Sequence, residues 1–148
     1  MSYGKAHKGI FTPQNPSKYK GDAAKVIYRS LWEKRVMRWL DNHDQVIWWS
    51  SEELVIPYFN PSDQKMHRYF PDFVVRLKNN SGNEKTYIWE IKPHAQTLQP
   101  VKRRRTQKFI NEMLTYTKNQ AKWEAADIFC QKNGWEFKVL TEKDLGIE

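Results

Sequence analysis

A single cysteine, Cys130, excludes any disulfide within this 148-residue chain and any zinc site built on paired cysteines. Its neighbours, A-A-D-I-F-C-Q-K, read as a helix holding a small buried thiol rather than a nucleophile. No apolar run approaches the roughly 18 residues that span a bilayer, and the first residues hold no signal-peptide core. A reducing cytoplasm and no membrane are therefore expected. Glycine is scarce at six residues, and no glycine-rich phosphate loop, G-x-S-x-G elbow or dinucleotide fingerprint is present. The four histidines, His7, His43, His67 and His94, lack the i, i+4 spacing of a helical metal pair. His67 and His94 flank the hairpin described next, where a plain surface role outweighs contact with a substrate. No internal repeat is visible.

What the chain does have is aromatic mass, basic charge and one informative stretch. Aromatics make up 14% of it, with seven Trp, in a charged and polar background, as expected of one folded domain. The net charge of +8 is unevenly spread. Residues 1–30 carry +5, residues 31–92 are neutral, residues 93–123 carry +6 and residues 124–148 carry −3. Two basic blocks thus flank a neutral centre, which points to a polyanionic partner, double-stranded DNA above all. A generic basic surface is the competing explanation.

The neutral centre holds Y-F-P-D-F-V-V-R-L-K (69–78), a turn-rich loop (78–84), and K-T-Y-I-W-E-I-K-P (85–93). Read as a hairpin, it carries Asp72 on the first strand and Glu90 with Lys92 on the second. Residues two apart on a strand share a face, so Glu90 and Lys92 project together while Trp89 and Ile91 point away. Phe73, Val75 and Leu77 form one apolar face, and the face of Asp72 also carries Val74 as that of Glu90 carries Ile88. A strand apolar on both sides is covered on both sides, and the charges belong where that cover opens. Two carboxylates with a lysine beside them suit Mg²⁺ and the cutting of phosphodiesters. The bland alternative is a solvated strand face whose charges pair weakly.

The remaining elements follow in order. Residues 1–22 show no periodicity and read as an extended basic arm, disordered or anchored by Ile10, Phe11 and Tyr19, ahead of one domain at 23–148. Ser30-Leu31-Trp32-Glu33 has the form of a capping box for a helix to about Asn42, with Leu31, Trp32, Val36, Trp39 and Leu40 on its buried stripe. Glu33 is explained equally by that cap or by chemistry. Val46–Tyr58 reads as one bent strand or two short ones, in which Glu52 and Glu53 face solvent. After Pro100 the run Lys102-Arg103-Arg104-Arg105 opens a long helical pattern. Phe109, Ile110, Met113, Leu114 and Tyr116 form its apolar side, with a break near Asn119 and a cap at Gly134. Basic residues at a helix start oppose the helix dipole, so external anions explain them better. Lys108 extends the same basic group. Trp135–Leu140 alternates as a last strand.

Pro71-Asp72 followed by Glu90-x-Lys92, in the order αβββαβ, resembles the PD-(D/E)xK nuclease core. The resemblance implies an α/β fold, an α/β/α sandwich around a central mixed sheet, restriction-endonuclease-like. It further implies that Asp72, Glu90 and the Ile91 carbonyl hold Mg²⁺, with Mn²⁺ as a substitute, while Lys92 assists the attacking water. Glu33 resembles the extra acid on the first helix, catalytic and a further metal ligand. Within the superfamily, R-Y-F-P-D-F and W-E-I-K-P are similar to TnsA-type transposon-end nucleases. F-T-P-Q-N-P-S-K-Y-K-G-D (11–22), Y-R-S-L-W-E (28–33) and W-S-S-E-E-L-V-I-P-Y (49–58) resemble the head-completion proteins of T-even-type contractile-tailed phages. That likeness implies action on the filled capsid, with DNA and head or portal proteins as partners, in the host cytoplasm and at the virion head. Lys102, Arg103, Arg104, Arg105 and Lys108 would then hold the DNA backbone. A Gln-x-x-x-Tyr found in some relatives is absent, since Gln107 is followed four residues on by Asn111. An idle nuclease-like core in a structural head protein is the second reading, and a transposon nuclease the third.

Overall fold

The structure, a computed structural model, describes residues 7–101 and 104–146. In chain order it contains β1 (Gly9–Ile10), β2 (Ile27–Tyr28), α1 (Leu31–Asn42), β3 (Val46–Ser51), β4 (Ile56–Asn60), β5 (Lys65–Tyr69), β6 (Phe73–Lys78), β7 (Glu84–Ile91), α2 (Gln107–Asn133), β8 (Glu136–Leu140) and α3 (Glu142–Leu145). The central sheet has the order β3-β6-β7-β8. β3, β6 and β7 run antiparallel, and β8 joins parallel to β7, which makes the sheet mixed.

Alternation along the strands supplies two apolar faces, each filled by a helix. Phe73, Val75 and Ile91 pack with Trp32, Val36, Met37 and Leu40 of α1. Val74 and Ile88 pack with Trp123, Ala126 and Cys130 of α2. The result is the expected α/β/α sandwich. Met37 takes a core place that the sequence pattern assigns to Trp39, which is 43% exposed. β4 and β5 form a separate two-stranded ribbon inserted between β3 and β6, with Ile56, Tyr58 and Tyr69 in the α2-side core. Residues 46–58 are therefore two strands in two different sheets.

Three further expectations are corrected. Asp72 lies in the bend before β6, and Lys92 directly follows β7, so both sit at strand ends rather than within the hairpin. α2 is one unbroken helix of 27 residues that starts at Gln107, where the Thr106 side chain accepts the Phe109 N–H. Arg104 and Arg105 consequently precede the helix, and Lys102 and Arg103 lie outside the described residues. The first half of α2 overhangs the sheet: its buried residues begin at Asn119, and Leu114 is 48% exposed.

Residues 7–26 are docked rather than loose. Phe11 and Tyr19 are buried against Trp49, at ring separations of 6.0 and 4.8 Å, whereas the Ile10 side chain is 70% exposed and that residue is held by pairing with Ile27 of β2. Asp41, at the buried end of α1, fastens this segment by accepting the N–H groups of Gln14 and Asn15 at 2.8 and 2.9 Å. The Asn15 side-chain amide returns a bond to the Asp41 carbonyl. Replacing Asp41 by Ala strands two backbone donors and should cost about 3 kcal/mol. Urea titration checks the size of the loss, and limited proteolysis should find new cuts between residues 12 and 22. An unchanged denaturation midpoint would dismiss Asp41 as the fastener.

Candidate active site

The site forms where the ribbon returns to the central sheet. Phe73 pairs with Trp89, so the bend before β6 brings Asp72 against the end of β7. There Asp72 Oδ2 accepts the Ile91 N–H at 2.8 Å. Its backbone carbonyl accepts the N–H of Glu52 at 3.2 Å, so the ends of three consecutive segments are tied at this residue. Glu90 is 7% exposed, and its Oε1 accepts the Tyr69 hydroxyl at 2.7 Å. Each carboxylate thus has one oxygen pinned by a neutral donor. The second oxygen of Asp72 has no hydrogen bond among the described residues, whereas the Asp72 backbone N–H also supports the Glu90 carboxylate.

Burial drives the electrostatics. It pushes the Asp72 carboxyl well above its ordinary value, and the neighbouring Glu90 and Glu33 charges push it further. Burial also raises Glu90, against the Tyr69 hydroxyl, Lys92 and Lys122, which favour its charged form. Tyr69 itself is raised by burial and by Glu90, so it remains a protonated donor to the carboxylate. Two like charges that act on each other under burial are a donor set that suits a cation. Asp72 and Glu90, with the carbonyl of Ile91 beside Glu90 on β7, fit a hard ion that keeps several waters. Among the described residues, no group of three or more His, Cys, Asp or Glu side chains is gathered to cage an ion without such help.

Glu33 reaches the same electrostatic neighbourhood from α1 but is bound locally. Its Oε1 accepts the Arg29 N–H and its Oε2 the Ser30 hydroxyl, both at 3.3 Å, while Ser30 Oγ accepts the Glu33 N–H at 3.1 Å. The cap and the site share this residue. Burial raises its carboxyl, and Glu52 and Glu90 add to that.

Three residues join the site without a sequence signal strong enough to single them out. Glu52, expected to face solvent, adopts φ +54° just past β3 and receives the Arg29 Nε at 3.1 Å. A left-handed backbone at a glutamate is uncommon and marks a place where tertiary contacts hold the chain in strain. Arg29 is raised first by Glu52 and further by Glu33 and Asp72, which places its guanidinium at the lip of the acidic cluster. Lys122 of α2 lies with its Nζ 5.6 Å from the Tyr69 ring centroid.

The remaining expectations fall elsewhere. Arg104 and Lys108 line one cleft of about 670 Å³ with Phe109, and Arg105 is exposed beside them. Gln107 bonds Asn111 along the surface of α2 and takes no part in the site. His67 pairs with Asp63 at 2.6 Å on the ribbon, and the His94 N–H donates to Glu142. Cys130 is buried, its thiol pushed up to about 11. No helix among the described residues is long and apolar enough to cross a membrane.

Comparison with known proteins bears on this geometry. The model of the TnsA-like endonuclease N-terminal family matches residues 43–142, a span that includes Asp72, Glu90, Lys92 and Lys122 but not Glu33. The chain is similar to the head completion nuclease of Enterobacteria phage T4, at 42% identity over 145 residues, covering 95% of this chain and 94% of that protein. No solved structure matches it significantly.

The sign of the carboxyl shifts gives a stability test. A carboxyl raised on folding binds its proton more tightly in the folded state, so it adds stability at low pH and loses it as pH climbs from its unfolded value of about 4. In EDTA, Asp72→Asn should melt about 3 °C above wild type at pH 7, the shift that ~1 kcal/mol produces at this size. The gap should close toward pH 4. Parallel melting curves across that range would mean that Asp72 is not held against its charge.

Proposed function

The chain belongs to the TnsA-like endonuclease family, and from that premise we propose that it is a divalent-metal-dependent DNA nuclease acting in phage head completion, on DNA at the filled head. The observation that carries the reading is the convergence of Asp72, Glu90 and Lys92 at adjoining strand ends. The head-completion part is supported by the T4 relative, which aligns with nearly the whole chain. Head or portal proteins are then the expected protein partners.

The overall step is hydrolysis. Water forms a new bond to phosphorus and gives up a proton, and the bond from phosphorus to the leaving sugar oxygen breaks. Its electron pair stays on that oxygen, which takes up a proton. Mg²⁺, or Mn²⁺ in its place, held by Asp72, Glu90 and the Ile91 carbonyl, would supply Lewis-acid charge at the phosphate and make water more acidic.

The chain's own groups perform the remaining work. The Ile91 N–H and the Tyr69 hydroxyl fix one oxygen of each carboxylate and so hold both side chains in place. Lys92 is backbone-anchored by its N–H to the Leu140 carbonyl at 3.0 Å, and its ammonium orients the attacking water or offsets charge gathering on the phosphate. Glu33, already bound to its cap, acts as an outer acid that orients rather than as a primary ligand. Arg104, Arg105 and Lys108, with Lys102 and Arg103, hold the DNA backbone without reading sequence.

Cleavage of linear and supercoiled DNA, in Mg²⁺, Mn²⁺ or EDTA, tests the reading directly. Cutting should require the metal and fall by about a hundredfold or more in both Asp72→Ala and Lys92→Ala, an effect of the size that removing one preorganised charged group produces. No cutting above these variants with any metal would transfer the weight to a structural head protein with an idle core. A separate measurement addresses the basic run. Arg104→Ala with Arg105→Ala should weaken binding to unrelated duplexes alike and lower the salt slope of log K by about 1.8, two phosphate contacts at ~0.9 each. A loss confined to one sequence would argue instead for base readout.

A further inference from the structure

Resting on the nuclease reading above, we propose that Lys122 is a second catalytic lysine, whose ammonium reaches a non-bridging oxygen of the scissile phosphate from the α2 side, opposite Lys92.

Three observations converge on it. First, Lys122 is partly buried, on the face of α2 that carries Asn119, Trp123 and Ala126 toward the sheet. Second, its Nζ is positioned over the Tyr69 ring, and the Tyr69 hydroxyl is bonded to Glu90, so one aromatic ring orients both a carboxylate and a cation. Third, neither Lys122 nor Lys92 makes an ion pair among the described residues, although both act electrostatically on Glu90 and Asp72. A partly buried ammonium that meets an aromatic face and nearby carboxylates but no ion pair keeps its hydrogen-bond donors available for an anion.

The carboxylates Asp72 and Glu90 fit a cation, and the two lysines beside them fit what that cation accompanies. A phosphodiester satisfies both. In the transition state its non-bridging oxygens gather additional negative charge, so a cation fixed beforehand on each side stabilises that state more than the bound substrate. The lysine arrives from α2 because the ribbon brings Tyr69 beneath that helix. Lys118, one turn earlier, is exposed and serves as the control.

The test uses the full chain and a labelled linear duplex. In EDTA, Lys122→Met should lower the salt slope of log K by about 0.9, one phosphate contact, and leave the melting temperature unchanged or slightly raised. With metal and saturating DNA, its single-turnover cutting should fall about a hundredfold or more, with kcat and kcat/KM both reduced. Lys122→Arg should recover to within about tenfold of wild type, and Lys118→Met should cut at the wild-type rate. A Lys122→Met variant that matches wild type at saturation, or leaves the salt slope unchanged, overturns the proposal while the nuclease reading stands. A loss that tracks a lowered melting temperature and is not recovered by Arg makes Lys122 structural. A wild type that cuts nothing with any metal removes the nuclease reading itself, and the catalytic role with it.

Discussion

Two carboxylates held together away from water are the constraint on which this structure turns. Left alone, Asp72 and Glu90 would separate or keep their protons. Neutral donors resist this: the Ile91 N–H on Asp72 and the Tyr69 hydroxyl on Glu90. Neither donor neutralises the charge, so the repulsion remains as a standing demand for a cation. Much of the surrounding fold can be read as support for that arrangement, with α1 supplying Glu33, the end of β3 supplying Glu52, and α2 supplying Lys122.

The ribbon of β4 and β5 has a particular part in this. A plain meander would carry the chain from β3 straight into β6. The inserted ribbon delays that return and delivers Tyr69 from the α2 side, followed by the buried Pro71 and the bend at Asp72. Proline fixes its own φ and restricts the residue before it, so the direction in which Asp72 enters the sheet is set by the local chain as well as by β6 pairing. The positive φ at Glu52 belongs to the same junction, since its N–H meets the Asp72 carbonyl.

How legible all of this is in the sequence depends on distance along the chain. The two-faced apolar pattern of residues 73–78 and 85–91 predicts cover on both sides, and α1 and α2 supply it, because strand alternation is a local property. Ser30 and Glu33 announce the start of α1 for the same reason. Asp72, Glu90 and Lys92 are readable because one hairpin brings them together. The start of α2 is misread because the basic run at 102–105 looks compatible with a helix, whereas the Thr106 side chain sets the start by capping the Phe109 N–H. Glu52, Arg29 and Lys122 are missed because their positions depend on register and on which layer each element joins. In sequence Lys122 is one basic residue among several on a long helix. Only the ribbon's placement of Tyr69 beneath α2 distinguishes it from Lys118. Trp39 shows the reverse case, an apolar residue on the correct stripe that the narrow footprint of α1 leaves in contact with His43 and Trp89 instead of the core.

The lone sulfhydryl gives the molecule a built-in clock. Cys130 lies where α2 meets the sheet, wholly enclosed, with its thiol pushed up to about 11. A reagent in solution meets it only when helix and sheet part, and the thiolate fraction at neutral pH is small even then. Its rate of modification therefore times the opening of the layer that carries Lys122, without any label being added to the chain. Whatever holds that layer shut, whether a cation between the carboxylates or a strand of DNA across them, should slow the clock.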